Sequence, residues 1–240
     1  MASSAADLTS RLLRHERGVL VGAVLMLATL SWIFVLDGMV MDSMHPPLWA
    51  LVVMWSIMMV AMMLPSATPA ILLYATVRKS RQPDNAAAQP WVFLAGYLLV
   101  WLVFSVVAAL VQSRLPSAAM GLESRTAQAA LLIAAGLYQL SPLKSACISQ
   151  CRSPAQFISR HWQPGWDGAI WLGMRHGAYC VGCCWLLMAL LFVGGIMNLL
   201  WIAGLTLLVA IEKLAPRGAL FGRAVGLALI VWGLAKVAGY

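Results

Sequence analysis

The chain of 240 residues is 62% hydrophobic and only 10% charged, with a formal net charge of +8. Soluble domains use roughly 45–50% apolar and about 25% charged residues, so this composition excludes a soluble globular domain and specifies a membrane protein. No Walker loop, dinucleotide fingerprint or nucleic-acid motif accompanies the positive charge, which is spread over loops and therefore meets anionic lipid head groups, not nucleic acid.

Crossing roughly 30 Å of hydrocarbon takes about 20 mostly apolar residues. Seven stretches meet that need in chain order: about 18–36, 48–77, 91–112, 127–146, 176–195, 196–212 and 219–238. The expected fold is all-α, a polytopic transmembrane helix bundle with residues 1–240 as one integral membrane domain. The first stretch follows a basic segment with Arg11, Arg14 and Arg17, as in a signal peptide, but its apolar run exceeds a usual h-region and no A-x-A site follows. It reads as a retained helix.

With seven spans, alternate loops fall on opposite sides. One side receives Arg11, Arg14 and Arg17, then Arg78, Lys79 and Arg81, then Lys144, Arg152 and Arg160, then Lys213, Arg217 and Arg223. The other receives Arg114, Arg125 and Lys236. Lys and Arg concentrate in short cytoplasmic loops, which sets the N-terminus in the cytoplasm and the C-terminus outside.

The first outer loop, "DGMVMDSMHPP", carries Asp37, Met39, Met41, Asp42, Met44 and His45 and no basic residue. Thioether, imidazole and carboxylate together suit a copper-collecting surface, since methionine selects Cu(I) and histidine accepts either copper state; the alternative is an ordinary turn closed by Pro46 and Pro47. The second span then presents Met54, Met58 and Met62 at every fourth residue, with Met59 and Met63 on an adjoining stripe. Methionine is a common gap-filler in cores, yet five within residues 54–63 exceed what filling needs. Pro65 removes a backbone donor and disposes the helix to kink, so the carbonyl near residue 61 needs another partner or a polar cavity. Helices interrupted near the membrane midplane are a transporter habit.

Cys147 and Cys151 follow, four apart at the cytoplasmic end of the fourth span, so both thiols lie on one helix face. Cys180, Cys183 and Cys184 occupy i, i+3 and i+4 near the cytoplasmic start of the fifth span, again on one face. Four or five sulfurs then converge if these helices are neighbours, a donor set that suits Cu(I), zinc or an iron–sulfur cluster. A single cysteine in a span packs as a small hydrophobe; two groups at helical spacing on consecutive spans match how bundle metal sites are assembled from facing helices. Disulfides are disfavoured on the cytoplasmic side, and five cysteines leave one unpaired. His176, one turn before Cys180, is a candidate nitrogen ligand or an interfacial histidine, and Arg175 beside it either offsets thiolate charge or snorkels to the head groups. Trp162, Trp166 and Trp171 form an aromatic belt, so "WDGAIWLGMR" reads as an interfacial helix leading into the fifth span. Glu212 and Lys213 close the sixth span as a charged pair at the interface. Ser, His and Asp make no hydrolase-like grouping.

The segments "MMLPSATP", "SPLKSACISQCRSP", "GMRHGAYCVGCCWLLM" and "GGIMNLLWIAGL", with the later "EK", resemble the bacterial family described as predicted metal-binding integral membrane proteins, a family of unknown function sometimes labelled copper chaperone. The resemblance covers residues 48–213 without departure at Cys147, Cys151, Cys180, Cys183 or Cys184, and it implies metal binding. The reading that results is a multi-pass, non-enzymatic protein of the bacterial inner membrane. It handles Cu(I), as chaperone or transporter, through the cysteines and the Met54, Met58 and Met62 stripe; its partners are the bilayer, the metal ion and a copper-receiving protein. Two other classes stay open: a membrane thiol–disulfide oxidoreductase using Cys180 and Cys183, and a non-catalytic assembly factor in which the cysteines only pack.

Overall fold

The computed structural model describes residues 2–36, 46–81, 88–115 and 121–239, with side chains from residue 18 onward. Every regular element among them is helical: α1 (Ala2–Leu36), α2 (Leu48–Arg81), α3 (Gln89–Gln112), α4 (Arg125–Leu140), α5 (Pro142–Arg152), α6 (Pro154–His161), α7 (Gly165–Ala189), the single turn α8 (Leu191–Gly194), α9 (Leu199–Leu214) and α10 (Gly218–Val237). Five stretches are long and apolar enough to cross a membrane: Gly18–Leu36, Leu48–Arg81, Gln89–Gln112, Gly165–Gly194 and Gly218–Val237. Large apolar side chains such as Val103, Leu200, Leu227 and Val231 face outward from the bundle, as a lipid solvent permits.

The expected seven spans differ from this at three places. The fourth stretch is broken: α4 and α5 meet at a bend of 63° and give a sixth crossing only if the pair is one span. The cause is local. Pro142 forces the preceding residue out of the helical region, Ser141 is extended, and its Oγ accepts from the Lys144 N–H at 3.2 Å, so one residue ends α4 and caps α5. The sixth stretch is α9, whose 16 residues fall short of a full crossing. The fifth begins at Gly165, not 176: the "WDGAIWLGMR" segment is no separate interfacial helix but the start of α7 itself. Glycines explain why it is drawn inward. A Cβ at Gly96 of α3 would overlap the Ile170 carbonyl and one at Gly173 the Phe93 carbonyl, so α3 and α7 meet backbone to backbone, the close approach that small residues permit between membrane helices. Gly136, Gly226 and Gly233 do the same between α4 and α10.

Helix α2 passes through Pro65 and Pro69 without interruption. The carbonyl that Pro65 leaves without its helical donor belongs to Ala61, and Trp32 of α1 supplies the missing hydrogen bond through Nε1 at 3.1 Å. The lost backbone bond is thus replaced by a tether between α1 and α2, and no polar cavity is needed there.

The ends of α5 and α9 are locked together. Glu212 accepts from Lys144 Nζ at 2.6 Å and from Gln139 Nε2 at 2.6 Å, while Lys144 also donates to Gln139 Oε1. Arg152 donates to the Glu212, Ala215 and Pro216 carbonyls at 2.6, 2.9 and 2.9 Å, closing the exposed end of α9 as basic groups do at helix C-termini. Glu212 and Lys213 are therefore not a pair at the interface. Both are buried, and because consecutive helical residues project about 100° apart they serve different neighbours.

Candidate metal centre

Lys213 turns the other way, into the bundle. Its Nζ lies 3.0 Å from Cys180 Sγ and 3.2 Å from Ser66 Oγ of α2. Tyr97 of α3 brings its hydroxyl to 3.2 Å from the same sulfur, and to 3.4 Å from the Met63 carbonyl. Cys180 is thus fully enclosed, touched by a cation and a phenol from two different helices.

The other cysteines surround that turn of α7. Cys183 and Cys184 are buried, and their thiols donate to the Cys180 carbonyl at 3.1 and 2.8 Å. The Cys151 thiol on α5 is an electrostatic neighbour of Cys180 and Cys183. Cys147, one turn earlier on α5, packs against α7 where a Cβ at Gly182 would come within 3.0 Å of its sulfur. All five cysteines are unbridged. The expected neighbourhood of α5 and α7 is present, but the thiols are not aimed at a shared centre: among the described residues no three His, Cys, Asp or Glu side chains form a group arranged to hold a metal ion. The reason is the low dielectric. A buried thiol proton needs an acceptor, and for Cys183 and Cys184 the nearest is the carbonyl one turn back on their own helix, a habit of short polar side chains in helices.

His176 is buried, not interfacial. It packs among the rings of Phe93, Tyr97 and Phe157 at centroid distances of 6.0, 5.8 and 5.2 Å, and among the described residues its Nδ1 has no hydrogen-bond partner. A buried polar atom without a partner costs about 1–3 kcal/mol. An imidazole nitrogen left open one turn from Cys180 is a donor that fits a soft cation.

The methionine stripe divides. Met63 reaches the cysteines, its Sδ 3.8 Å from Cys184 Sγ. Met54, Met58 and Met62 are buried elsewhere on α2, with no contact of that kind. Met44 and His45, with the rest of their loop, lie outside the described residues.

Sequence reasoning alone missed Tyr97, Lys213 and Met63 as neighbours of the sulfurs, and Ser66 as the partner of Lys213. One signal existed: Phe93, Tyr97 and Trp101 recur every fourth residue on α3 and all three are buried, which marks an aromatic face turned toward the core. Gathered around this turn of α7 are therefore soft sulfur, an imidazole and a lysine side chain.

Comparison with known proteins bears on this arrangement. The model of the family PpoB2, described as copper chaperone, matches residues 52–236. No curated protein and no solved structure matches the chain.

Proposed function

The chain belongs to the PpoB2 family, described as copper chaperone, and from that premise we propose that it is a multi-pass protein of the bacterial inner membrane that receives Cu(I) and passes it to a copper-receiving partner through the cysteines of α5 and α7. The observation that carries this reading is the gathering of Cys151, Cys180, Cys183 and Cys184 around one turn of α7, with Lys213 against Cys180.

Copper is cargo here, and the step is ligand exchange, with no redox change and no covalent intermediate. Cys183 and Cys184 leave the Cys180 carbonyl by rotating about χ1, exchange thiol hydrogen bonds for sulfur–metal bonds, and release their protons to water or to the incoming carrier. Two thiolates around one Cu(I) carry a net charge of −1. Lys213 beside Cys180 neutralises it, which matters because an unbalanced charge in low dielectric is very costly. His176 and Met63 stand within a turn of the sulfurs as secondary donors. The basic last turn of α2, with Arg78, Lys79 and Arg81, supports a cytoplasmic face at that end, so the N-terminus is cytoplasmic.

Replacing any one of Cys151, Cys180, Cys183 or Cys184 by serine should lower copper content in purified protein nearly as far as replacing all four, because a soft cation loses its closed coordination with one sulfur. Additive, independent losses would instead indicate two separate sites, and unchanged copper in the fourfold variant would refute the reading. The orientation has its own test in the cysteine-free background: cysteines introduced as Ser43→Cys and Ser80→Cys should label with an impermeant maleimide from outside only at position 43.

A further inference from the structure

Between α1, α2 and the turn joining α8 to α9 lies a small cavity of about 20 Å³. Three of the side chains lining it are methionines from segments far apart in sequence: Met54 and Met58, one turn apart on α2, and Met197. Phe34 and Val35 at the end of α1 form part of its wall, and among the described residues no charged or hydrogen-bonding side chain lines it. Among the described residues the three methionines are its only soft donors. Met62, the next member of the α2 stripe, does not line it.

Met197 is held there by a turn with its own machinery. Gly195 has φ +93°, a region that side-chain-bearing residues rarely adopt. The Asn198 N–H donates to the Gly195 carbonyl at 3.1 Å, Asn198 Oδ1 accepts from the Trp201 N–H at 3.2 Å and caps α9, and Trp201 Nε1 donates to the Leu190 carbonyl at 2.8 Å. A Cβ at Gly194 would overlap the Trp201 ring. The segment "GGIMN", which the cysteine centre leaves without a role, thus fixes position 197 at both of its flanks.

We propose that Met54, Met58 and Met197 form a three-thioether site for Cu(I), distinct from the cysteines. It deepens the copper-handling reading and rests on it for the identity of the cation. Thioethers are neutral and select Cu(I) over harder or divalent ions; they release no proton on binding and leave the cation its charge, so the site binds less tightly than thiolates and gives its ion up readily. Those are the properties of a site that receives copper, not one that stores it. Met58 lies five residues from Met63, roughly 7 Å along the α2 axis, and Met63 touches Cys184, so the two sites share one helix.

Full-length protein titrated with Cu(I) against a chromogenic Cu(I) chelator, with Ag(I) as a second probe, tests this. Cys180→Ser should retain a weaker class of site, and Met197→Leu should weaken that class at least tenfold while leaving the tight class and the melting temperature unchanged, since Leu and Met are close in volume. A second measurement needs no substitution: selenomethionine-labelled protein carrying Cu(I) beyond the tight sites should show selenium neighbours at the copper X-ray absorption edge. An unaltered titration in Met197→Leu, or copper without selenium neighbours, would overturn the proposal. Loss of the weak class in Met197→Leu, with Cys180→Ser binding as wild type, would support this site while refuting the cysteine reading.

Discussion

Two lysines are buried at the same end of the bundle, and their surroundings differ in kind. Lys144 and Lys213 are 4% and 6% exposed. Lys144 faces the Glu212 carboxylate and the Gln139 amide, and Gln139 in turn satisfies the second Glu212 oxygen. Within that group the charges cancel and both carboxylate oxygens are satisfied. Among the described residues Lys213 makes its polar contacts with a thiol and a hydroxyl. The carboxylate next to it in sequence is committed to Lys144, so the positive charge of Lys213 is directed at sulfur. The contrast teaches that α9 ends in two kinds of buried charge on consecutive residues: Glu212 is a lock that holds helices together, and Lys213 faces sulfur.

The largest effect should come from breaking the lock. Glu212→Leu strands Lys144 without a counter-charge and should cost about 3–5 kcal/mol, whereas adding Lys144→Met should recover most of it, because a buried pair replaced by apolar residues is often close to neutral. Thermal unfolding in detergent measures both, and equal losses in the single and double variants would erase the distinction between the two lysines. Lys213→Met should do the reverse: little change in unfolding, but copper retention weakened about tenfold, equivalent to about 1.4 kcal/mol, as chelator competition would register. If it unfolds the protein as Glu212→Leu does, Lys213 is a structural group too. The smallest effect belongs to Trp32→Phe, which leaves the Ala61 carbonyl without its donor at a cost of about 1 kcal/mol and should leave copper retention untouched, since this bond lies away from the sulfurs.

The cysteine neighbourhood was legible because spacing is a local quantity: i, i+4 on α5 and i, i+3, i+4 on α7 fix two thiol faces whatever else the chain does. Which methionine met them was not. The Met58–Met62 and Met59–Met63 stripes have the same period, and only the rotation of α2 against α7 decides that Met63 is the one in contact. Lys213 read as interfacial because a basic residue at a helix end is ordinarily there; its burial depends on Cys180 and Ser66 from other helices covering it. The break at Ser141 is written in "SPLK", a capping serine followed by proline at the first helical position, a signal that the strongly apolar run before it in α4 masks. The start of α7 was masked likewise by tryptophans, whose belt-forming tendency is statistical, while the glycine contacts at Gly96 and Gly173 are steric and decisive.

Those glycines also have a mechanical consequence. Backbone pressed on backbone leaves no flexible side-chain layer in which α3 and α7 could slide, so Tyr97, Cys180, Cys183 and Cys184 move as one rigid body. The Lys144–Glu212 and Arg152 contacts tie α5 to α9 through side chains instead. Amide hydrogen exchange should therefore show α3 and α7 protected together as one cooperative block.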